Sequence, residues 1–363
     1  MGHMDRALEL ARGSLGRTSP NPAVGAVLVK GDRIIGEGAT QPPGHDHAEI
    51  VALKQAGQSA RGATLYVTLE PHCHHGRTPP CTQAIIRAGV AEVHIATLDA
   101  NQLVAGKGKA ELEAAGLRVL LGEGAEEARE LVEGHARWIT TRLPFVTVKY
   151  AMSLDGKIAT ATGESRWISG PESRAYVHEL RRASDAIMVG INTALRDDPQ
   201  LTARDPDGAA LPRQPLRVIV DSQARLLPSA QLLRQPGKTL VAVANAPRDR
   251  REALARAGAE VLSFPGEDGA VDLSALLRHL GEREVVSLLV EGGGTLLASL
   301  FSEGLADKVL AFIAPRILGG STAPTPVAGQ GVASLERAVR FKRVRVERVG
   351  EDVLVVGYPV QKV

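Results

Sequence analysis

The chain has 363 residues, more than one domain ordinarily holds, and its 44% hydrophobic fraction is enough to fill two cores. A net charge of +2 without long Lys/Arg runs, with two tryptophans, four tyrosines and five phenylalanines, argues against a nucleic-acid surface built on basic clusters or base stacking. No apolar run approaches the ~20 residues of a membrane span and no signal peptide precedes the first helix. Both cysteines fall in one motif, so a reducing cytoplasm is expected rather than a disulfide framework.

In chain order, Met1-Gly2-His3-Met4 reads as an expression scar, and a helix is predicted from Asp5 to Ser14 with Gly16 beyond its end. Ser19-Pro20-Asn21-Pro22 is a turn into an apolar strand, Val24 to Val29, and Asn21 stands where a side-chain amide can hydrogen-bond a ring edge. Gly31-Asp32 turns the chain into Ile34-Ile35, and the loop Gln41-Pro42-Pro43-Gly44 delivers His47 to the first turn of a helix running to about Ala56. Thr64 to Leu69 is predicted as a buried strand, and Cys81 opens a helix to Ala88. Val93 to Thr97, the loop Asn101 to Lys109, a helix to Ala115 and a strand Leu117 to Leu121 continue the alternation of an α/β three-layer domain. A helix from Ala125 to Thr140 closes it. Pro144 stops that helix and an apolar strand, Phe145 to Tyr150, follows at once, which sets the domains at 1–142 and 143–363.

The chemistry-bearing stretch is His47-Ala48-Glu49 followed by Leu69-Glu70-Pro71-His72-Cys73-His74-His75-Gly76-Arg77-Thr78-Pro79-Pro80-Cys81. A histidine two residues before a glutamate, then a proline before a ligand position and a later cysteine, is the layout of zinc-dependent nucleobase deaminases. Three protein ligands leave the fourth place to water, whose pKa zinc lowers from 15.7 to about 7. Glu49 is then expected not to bind the metal but to carry the water's proton to the ring nitrogen and on to the leaving amine. Cys73 and Cys81 are both placed in this motif, and the two later ligand positions are expected in helix N-terminal turns, where backbone amides favour a thiolate.

Pro20-Asn21-Pro22-Ala23-Val24-Gly25, His47-Ala48-Glu49 and His74-His75-Gly76-Arg77-Thr78-Pro79-Pro80-Cys81 resemble the deaminase half of the bifunctional riboflavin-biosynthesis deaminase/reductase family. The resemblance implies a cytidine-deaminase-like first domain, with Asn21, His74 and Arg77 toward the substrate. One departure stands out. The family reads proline-cysteine-serine-histidine where this chain has Pro71-His72-Cys73-His74. With the spacing to Cys81 kept, the ligands are His47, His72 and Cys81, and the centre has one thiolate. With a slip of one residue, Cys73 binds instead, which needs a rebuilt turn because such a shift rotates a helical side chain by about 100°. A third outcome is a site that binds no metal. Thr40 is a second departure, where many relatives carry a substrate-contacting histidine, and His45 is a candidate replacement.

The second half has its own pattern: Lys149-Tyr150-Ala151-Met152-Ser153-Leu154-Asp155-Gly156, Glu164-Ser165-Arg166-Trp167-Ile168-Ser169, Asp197-Asp198-Pro199-Gln200-Leu201-Thr202-Ala203-Arg204 and Leu289-Val290-Glu291-Gly292-Gly293-Gly294. These resemble the reductase half of the same family, which implies a dihydrofolate-reductase-like α/β fold. By position, Ala151, Trp167, Thr193 and Asp197 match NADPH contacts, and Ser165, Arg181, Leu201, Arg204 and Glu291 match substrate contacts. Independently of the resemblance, Gly292, Gly293 and Gly294 between a strand and a helix can offer backbone amides to a dinucleotide's phosphates, although the usual dinucleotide fingerprint is missing. A pair of arginines suits a phosphoribosyl group, which guanidinium grips bidentately.

The sequence thus points to a two-domain enzyme using Zn2+ and NADPH on small phosphoribosyl pyrimidines, with a homo-oligomer, dimer or tetramer, expected. A reductase with an impaired deaminase site and a polynucleotide base deaminase are the competing readings.

Overall fold

The computed structural model describes residues 2–76, 78–205 and 207–360. Two compact units divide the chain, one up to Leu143 and one from Pro144 onward, with Glu284–Val286 grouped with the first.

The first unit runs α1 (His3–Ser14), β1 (Gly25–Lys30), β2 (Arg33–Ala39), α2 (Ala48–Ala56), β3 (Thr64–Leu69), α3 (Cys81–Ala88), β4 (Glu92–Thr97), α4 (Lys107–Ala114), β5 (Arg118–Leu121), α5 (Ala125–Leu131) and α6 (Glu133–Thr141). Its five strands lie in the order β2-β1-β3-β4-β5. β1 is antiparallel to β2 and to β3, whereas β3, β4 and β5 are parallel. Burial of both faces explains the apolar runs: Leu28, Leu65, Val67, Val93 and Ile95 of the strands close with Ala48, Ala52 and Ile85 of the helices into one core. On the other face Met4, Ala7 and Leu8 of α1 pack with Val27, Val29 and Ala128.

The helix predicted from Ala125 to Thr140 is two helices. Val132 breaks it at φ −109°, ψ 7°, and its side chain joins the core at 7% exposure. α4 starts at Lys107, inside the predicted loop. His72 lies in an irregular segment between β3 and α3, not in a helix N-terminal turn; Pro71 before it and Pro79-Pro80 after it disfavour helix.

The second unit runs β6 (Phe145–Ser153), α7 (Pro171–Ala183), β7 (Ala186–Gly190), α8 (Ile191–Asp197), β8 (Leu216–Val220), β9 (Thr239–Val243), α9 (Arg248–Arg256), β10 (Glu260–Ser263), α10 (Leu273–Glu282), β11 (Ser287–Val290), α11 (Gly294–Ser302), β12 (Lys308–Ala314), β13 (Phe341–Val349) and β14 (Asp352–Pro359). Nine strands form one sheet in the order β10-β9-β8-β7-β11-β6-β12-β14-β13. Neighbours from β10 to β12 are parallel, and β14 pairs antiparallel with β12 and β13. β11 slots between β7 and β6, so the carboxyl ends of three strands far apart in sequence meet at one place. Among the described residues no helix is long and apolar enough to cross a membrane.

Candidate active sites

In the first unit a cleft opens at the end of the sheet where β2, β3 and β4 finish and β1 begins. Asn21, Thr40, His72 and Asp99, each delivered by a different strand, line it together. α2 brings His47 and Glu49 to the same place. It lies directly on β2 because Gly36 and Gly38 carry no side chain: a Cβ at either would fall inside the carbonyl oxygens of Ala52 and Ala48. His47 is the N-cap residue of α2, Glu49 lies in its first turn and Cys81 opens α3.

His47 Nδ1 lies 3.6 Å from Cys81 Sγ, and its Nε2 lies 3.3 Å from Thr78 Oγ1. The rings of His47 and His72 are 4.6 Å apart, and one donor atom from each of His47, His72 and Cys81 falls within 4.8 Å of the others. Two donors held tetrahedrally at about 2.0 Å (nitrogen) and about 2.3 Å (sulfur) from zinc are about 3.5 Å apart. Both ring nitrogens of His72 are buried with no hydrogen-bond partner among the described residues. An unpaired buried polar group costs about 1–3 kcal/mol, which a coordinate bond removes. The residues therefore fit zinc.

Burial governs the electrostatics. It pushes the Cys81 thiol well up, helped by the nearby Glu49 carboxylate, and pushes the Glu49 carboxyl up. The same burial holds His47 down, and His72 down with the further repulsion of His47. Each group is pressed toward its uncharged form, and a dication among them reverses that pressure on the thiol.

Cys73 is half-buried, with its sulfur 3.9 Å from the Leu103 carbonyl oxygen and outside the donor cluster. His74 lines the cleft, edge-on to His72 at 5.7 Å. His45 is exposed and does not line the cleft, while the Thr40 hydroxyl accepts from Val24 N at 3.3 Å. Arg77 lies outside the described residues. Asp99, Asn101 and His135 also line the cleft, and no sequence motif marks them. Asp99 and Asn101 had a readable signal, since they follow the carboxyl end of a parallel strand, where ligands bind in α/β sheets. His135 had none: its Nδ1 donates 3.1 Å to the carbonyl of Pro20, a neighbour 115 positions away.

In the second unit the expected residues gather at the carboxyl ends of β6, β7 and β11. Ser165 and Trp167 line a second cleft with Ser153 and Arg316. Ser165 Oγ donates to Asp197 Oδ1 at 3.3 Å, and Arg166 reaches the Asp197 carbonyl. Trp167 is 63% exposed, so it is not a core aromatic, and the Arg174 guanidinium stacks 4.9 Å from its ring. Asp155 is a turn residue: its carboxylate accepts from Ser153 Oγ and from the amides of Leu318 and Gly319, and these bonds hold its pKa at about 2. Gly292 and Gly293 have φ of 111° and 94°, and a Cβ on Gly292 would meet only Thr193 Oγ1, at 4.0 Å. That open face beside the N-terminus of α11 suits a phosphate. Gly294 opens α11 and packs against Thr325 and Ala328. Ala151 is a β6 residue opposite Phe312 of β12.

Arg181 is not a free phosphate grip. It forms a bidentate pair with Glu291, Nε to Oε1 2.6 Å and Nη2 to Oε2 2.8 Å. Arg204 donates to Thr202 Oγ1 and to the Gly208 carbonyl, and Leu201 is buried with φ 50°. Lys149, to which the sequence pattern assigns no role, has its pKa lowered by burial against the opposing pull of Glu291.

Residues 2–97 match the cytidine and deoxycytidylate deaminase zinc-binding region, and residues 144–355 match the RibD C-terminal domain. "Riboflavin biosynthesis protein RibD" of Aquifex aeolicus (strain VF5) is 43% identical over 353 residues, 97% of this chain and 96% of its own. The chain belongs to the RibD family. The RibD of Escherichia coli (strain K12) is 42% identical over 360 residues, 97% of each chain. Among solved structures, Acinetobacter baumannii RibD superposes with a TM-score of 0.85 at 39% identity, covering 99% of this chain and 98% of its own. The Thermotoga maritima diaminohydroxyphosphoribosylaminopyrimidine deaminase/5-amino-6-(5-phosphoribosylamino)uracil reductase does so at 0.83 and 37%, covering 99% and 98%. The mixed α/β fold with a deaminase-type first unit, the zinc and the reductase function expected from the sequence stand with these relatives.

Proposed function

We propose that the chain catalyses two successive steps of riboflavin biosynthesis: hydrolytic deamination of 2,5-diamino-6-(5-phosphoribosylamino)pyrimidin-4-one, then NADPH-dependent reduction of its ribosyl group to ribityl. The observation that carries the first step is the convergence of His47, His72 and Cys81 beside the buried Glu49. In this reading those three side chains hold zinc, and Thr78, 3.3 Å from His47 Nε2, fixes the ring so that Nδ1 faces the metal. Bound zinc supplies a water acidified to a pKa of about 7. Glu49, whose carboxyl burial has made more basic, would carry one proton of that water to the ring nitrogen and the second to the departing amine as the C–N bond breaks. The N=C–NH2 unit and H2O become HN–C=O and NH3. Asn21 and His74 orient the ring in the cleft.

In the second unit NADPH supplies the hydride. Gly292, Gly293 and Gly294 with Thr193 would receive its phosphates, and Ala151, Trp167 and Asp197 would position the rest. Ser165, Leu201, Arg204 and the Arg181–Glu291 pair would hold the phosphoribosyl substrate, and Lys149 would give a proton to the ring oxygen as the C1–O bond opens and C1 is reduced. β13 is an exposed edge strand with Val344 at 54% and Val346 at 67% exposure, and supports self-association into a homo-oligomer. Two cysteines without a disulfide accord with a cytoplasmic location.

The test is ammonia release from the diaminopyrimidine substrate with NADPH omitted, followed by NADPH oxidation on the deaminated compound. Ammonia without NADPH supports the reading; oxidation without any ammonia step would reduce the chain to a reductase.

A further inference from the structure

The segment that carries His72 is fixed, up to and including His72, by contacts that a change of register breaks. Before it, the Glu70 carboxylate is buried and accepts three backbone amides, Asp99 N at 3.2 Å, Gly106 N at 2.9 Å and Lys109 N at 2.9 Å. Next, the Pro71 carbonyl oxygen lies against Gly108, where a Cβ would collide with it. At His72 itself, the carbonyl oxygen accepts from Thr82 N at 3.3 Å, in the first turn of the helix that begins with Cys81. Thr82 is held in turn by Glu111, its hydroxyl donating to Oε2 at 2.8 Å. Moving the chain by one residue, to bring Cys73 into the donor position, breaks the Glu70, Pro71 and His72 anchors together. The Cys73 sulfur instead points to the Leu103 carbonyl, 3.9 Å away.

We propose, resting on the zinc reading of this site, that the metal centre of this chain is held by two imidazoles and a single thiolate, with Cys73 permanently off the metal. Two neutral imidazoles and one thiolate leave a dication with a net charge of +1, whereas a second thiolate would neutralise it. The set is also less soft. Imidazole suits zinc, cobalt, iron(II) and nickel alike, while a second thiolate favours zinc over the harder metals. The centre therefore discriminates less sharply among divalent metals, and its metal follows supply more closely than that of a two-thiolate site.

The chain itself makes the test clean, because Cys73 and Cys81 are its only cysteines. The full-length protein loaded with one equivalent of zinc is treated with a thiol reagent before and after a chelator, beside Cys73→Ser and His72→Cys. The expected result is one reactive thiol in the zinc form and two after chelation in denaturant, which removes the burial that shields Cys81 in the folded apoprotein. Cys73→Ser keeps its zinc and shows no reactive thiol until chelator and denaturant are added. Loaded with cobalt(II), the protein and Cys73→Ser show the same thiolate charge-transfer intensity, and His72→Cys shows twice as much. With zinc and cobalt(II) supplied in equal amounts, His72→Cys retains a larger share of zinc than the unaltered protein. Zinc that protects both thiols, with metal lost in Cys73→Ser, overturns the proposal and leaves the zinc reading standing. Equal zinc shares in the two proteins overturn the claim on metal choice. Two reactive thiols and no retained zinc at any loading overturn the zinc reading itself.

Discussion

Glu49 is 4% exposed in the first turn of α2, with its carboxyl made more basic by burial and no place among the three donors. A general acid–base group contributes about 10²–10⁴-fold, so Glu49→Gln is expected to lower ammonia release by that factor with zinc content and NADPH oxidation on the deaminated compound unchanged. Ammonia release at the parental rate would remove Glu49 from the proton path. Glu291 poses a different problem, because it is the counter-charge of Arg181 and acts on Lys149. Burial raises its pKa, but Arg181, with Lys149 and His178, outweighs burial and the net shift is downward. A depressed carboxylate stabilises the fold above its unfolded pKa of about 4.3, and that contribution is lost as pH falls through the lower folded value. Glu291→Gln leaves Arg181 buried and unpaired, at a cost of about 3–5 kcal/mol at pH 7. Urea unfolding should show this loss at neutral pH and a smaller difference from the parent below pH 4; a constant difference across that range would contradict the pairing. In the sequence, His47, Glu49, His72 and Cys81 were legible because their chemistry is written in short local spacing. Asp99 and Asn101 were legible only as residues following the carboxyl end of a predicted strand, and His135 was not, because only the fold brings it to the cleft.

At the scale of elements, legibility depended on how local the determining interaction is. Thr64–Leu69 and Cys81–Ala88 appear at the residues predicted, since apolar runs and prolines bound them on both sides. The break at Val132 was hidden, because a β-branched residue in a helical pattern reveals nothing of the core that draws it in. The docking of α2 was hidden too: Gly36 and Gly38 read as plain strand glycines, but they let the helix backbone rest on β2. Gly38→Ala therefore has to push α2 outward, and with it His47 and Glu49. Overpacking of this kind costs about 1–3 kcal/mol. The expected outcome is a folded protein of lowered melting temperature with weakened zinc retention and reduced ammonia release, while Ala52→Gly, on the opposing helix, leaves the strand contact open and keeps the metal. Full zinc occupancy in Gly38→Ala would show that another element fixes the ligand geometry.

On the scale of the whole molecule, the order of the nine-stranded sheet was beyond the sequence, because β11 enters between β7 and β6 only after the whole of residues 191–286 has intervened. With that order, the two chemistries draw on separate machinery. The three donor residues and Glu49 belong to the first unit, with its own core around Leu28, Leu65 and Ile95. Glu291, Gly292, Thr193 and Asp197 belong to the second, whose core includes Ile187, Val189, Ile219 and Val241. Removal of zinc takes away a dication that offsets a buried thiolate, and the residues that hold it all belong to the first unit. Chelation is therefore expected to abolish ammonia release and lower the stability of the first unit, with NADPH oxidation on the deaminated substrate kept within about twofold. Bound metal stabilises by RT ln(1 + [L]/Kd), so readdition of zinc at a hundred times its dissociation constant restores about 2.7 kcal/mol to the first unit along with deamination. A parallel loss of both activities on chelation, restored together by zinc, would mean that the reductase depends on the metal centre of the other unit and that the two machineries are not separate.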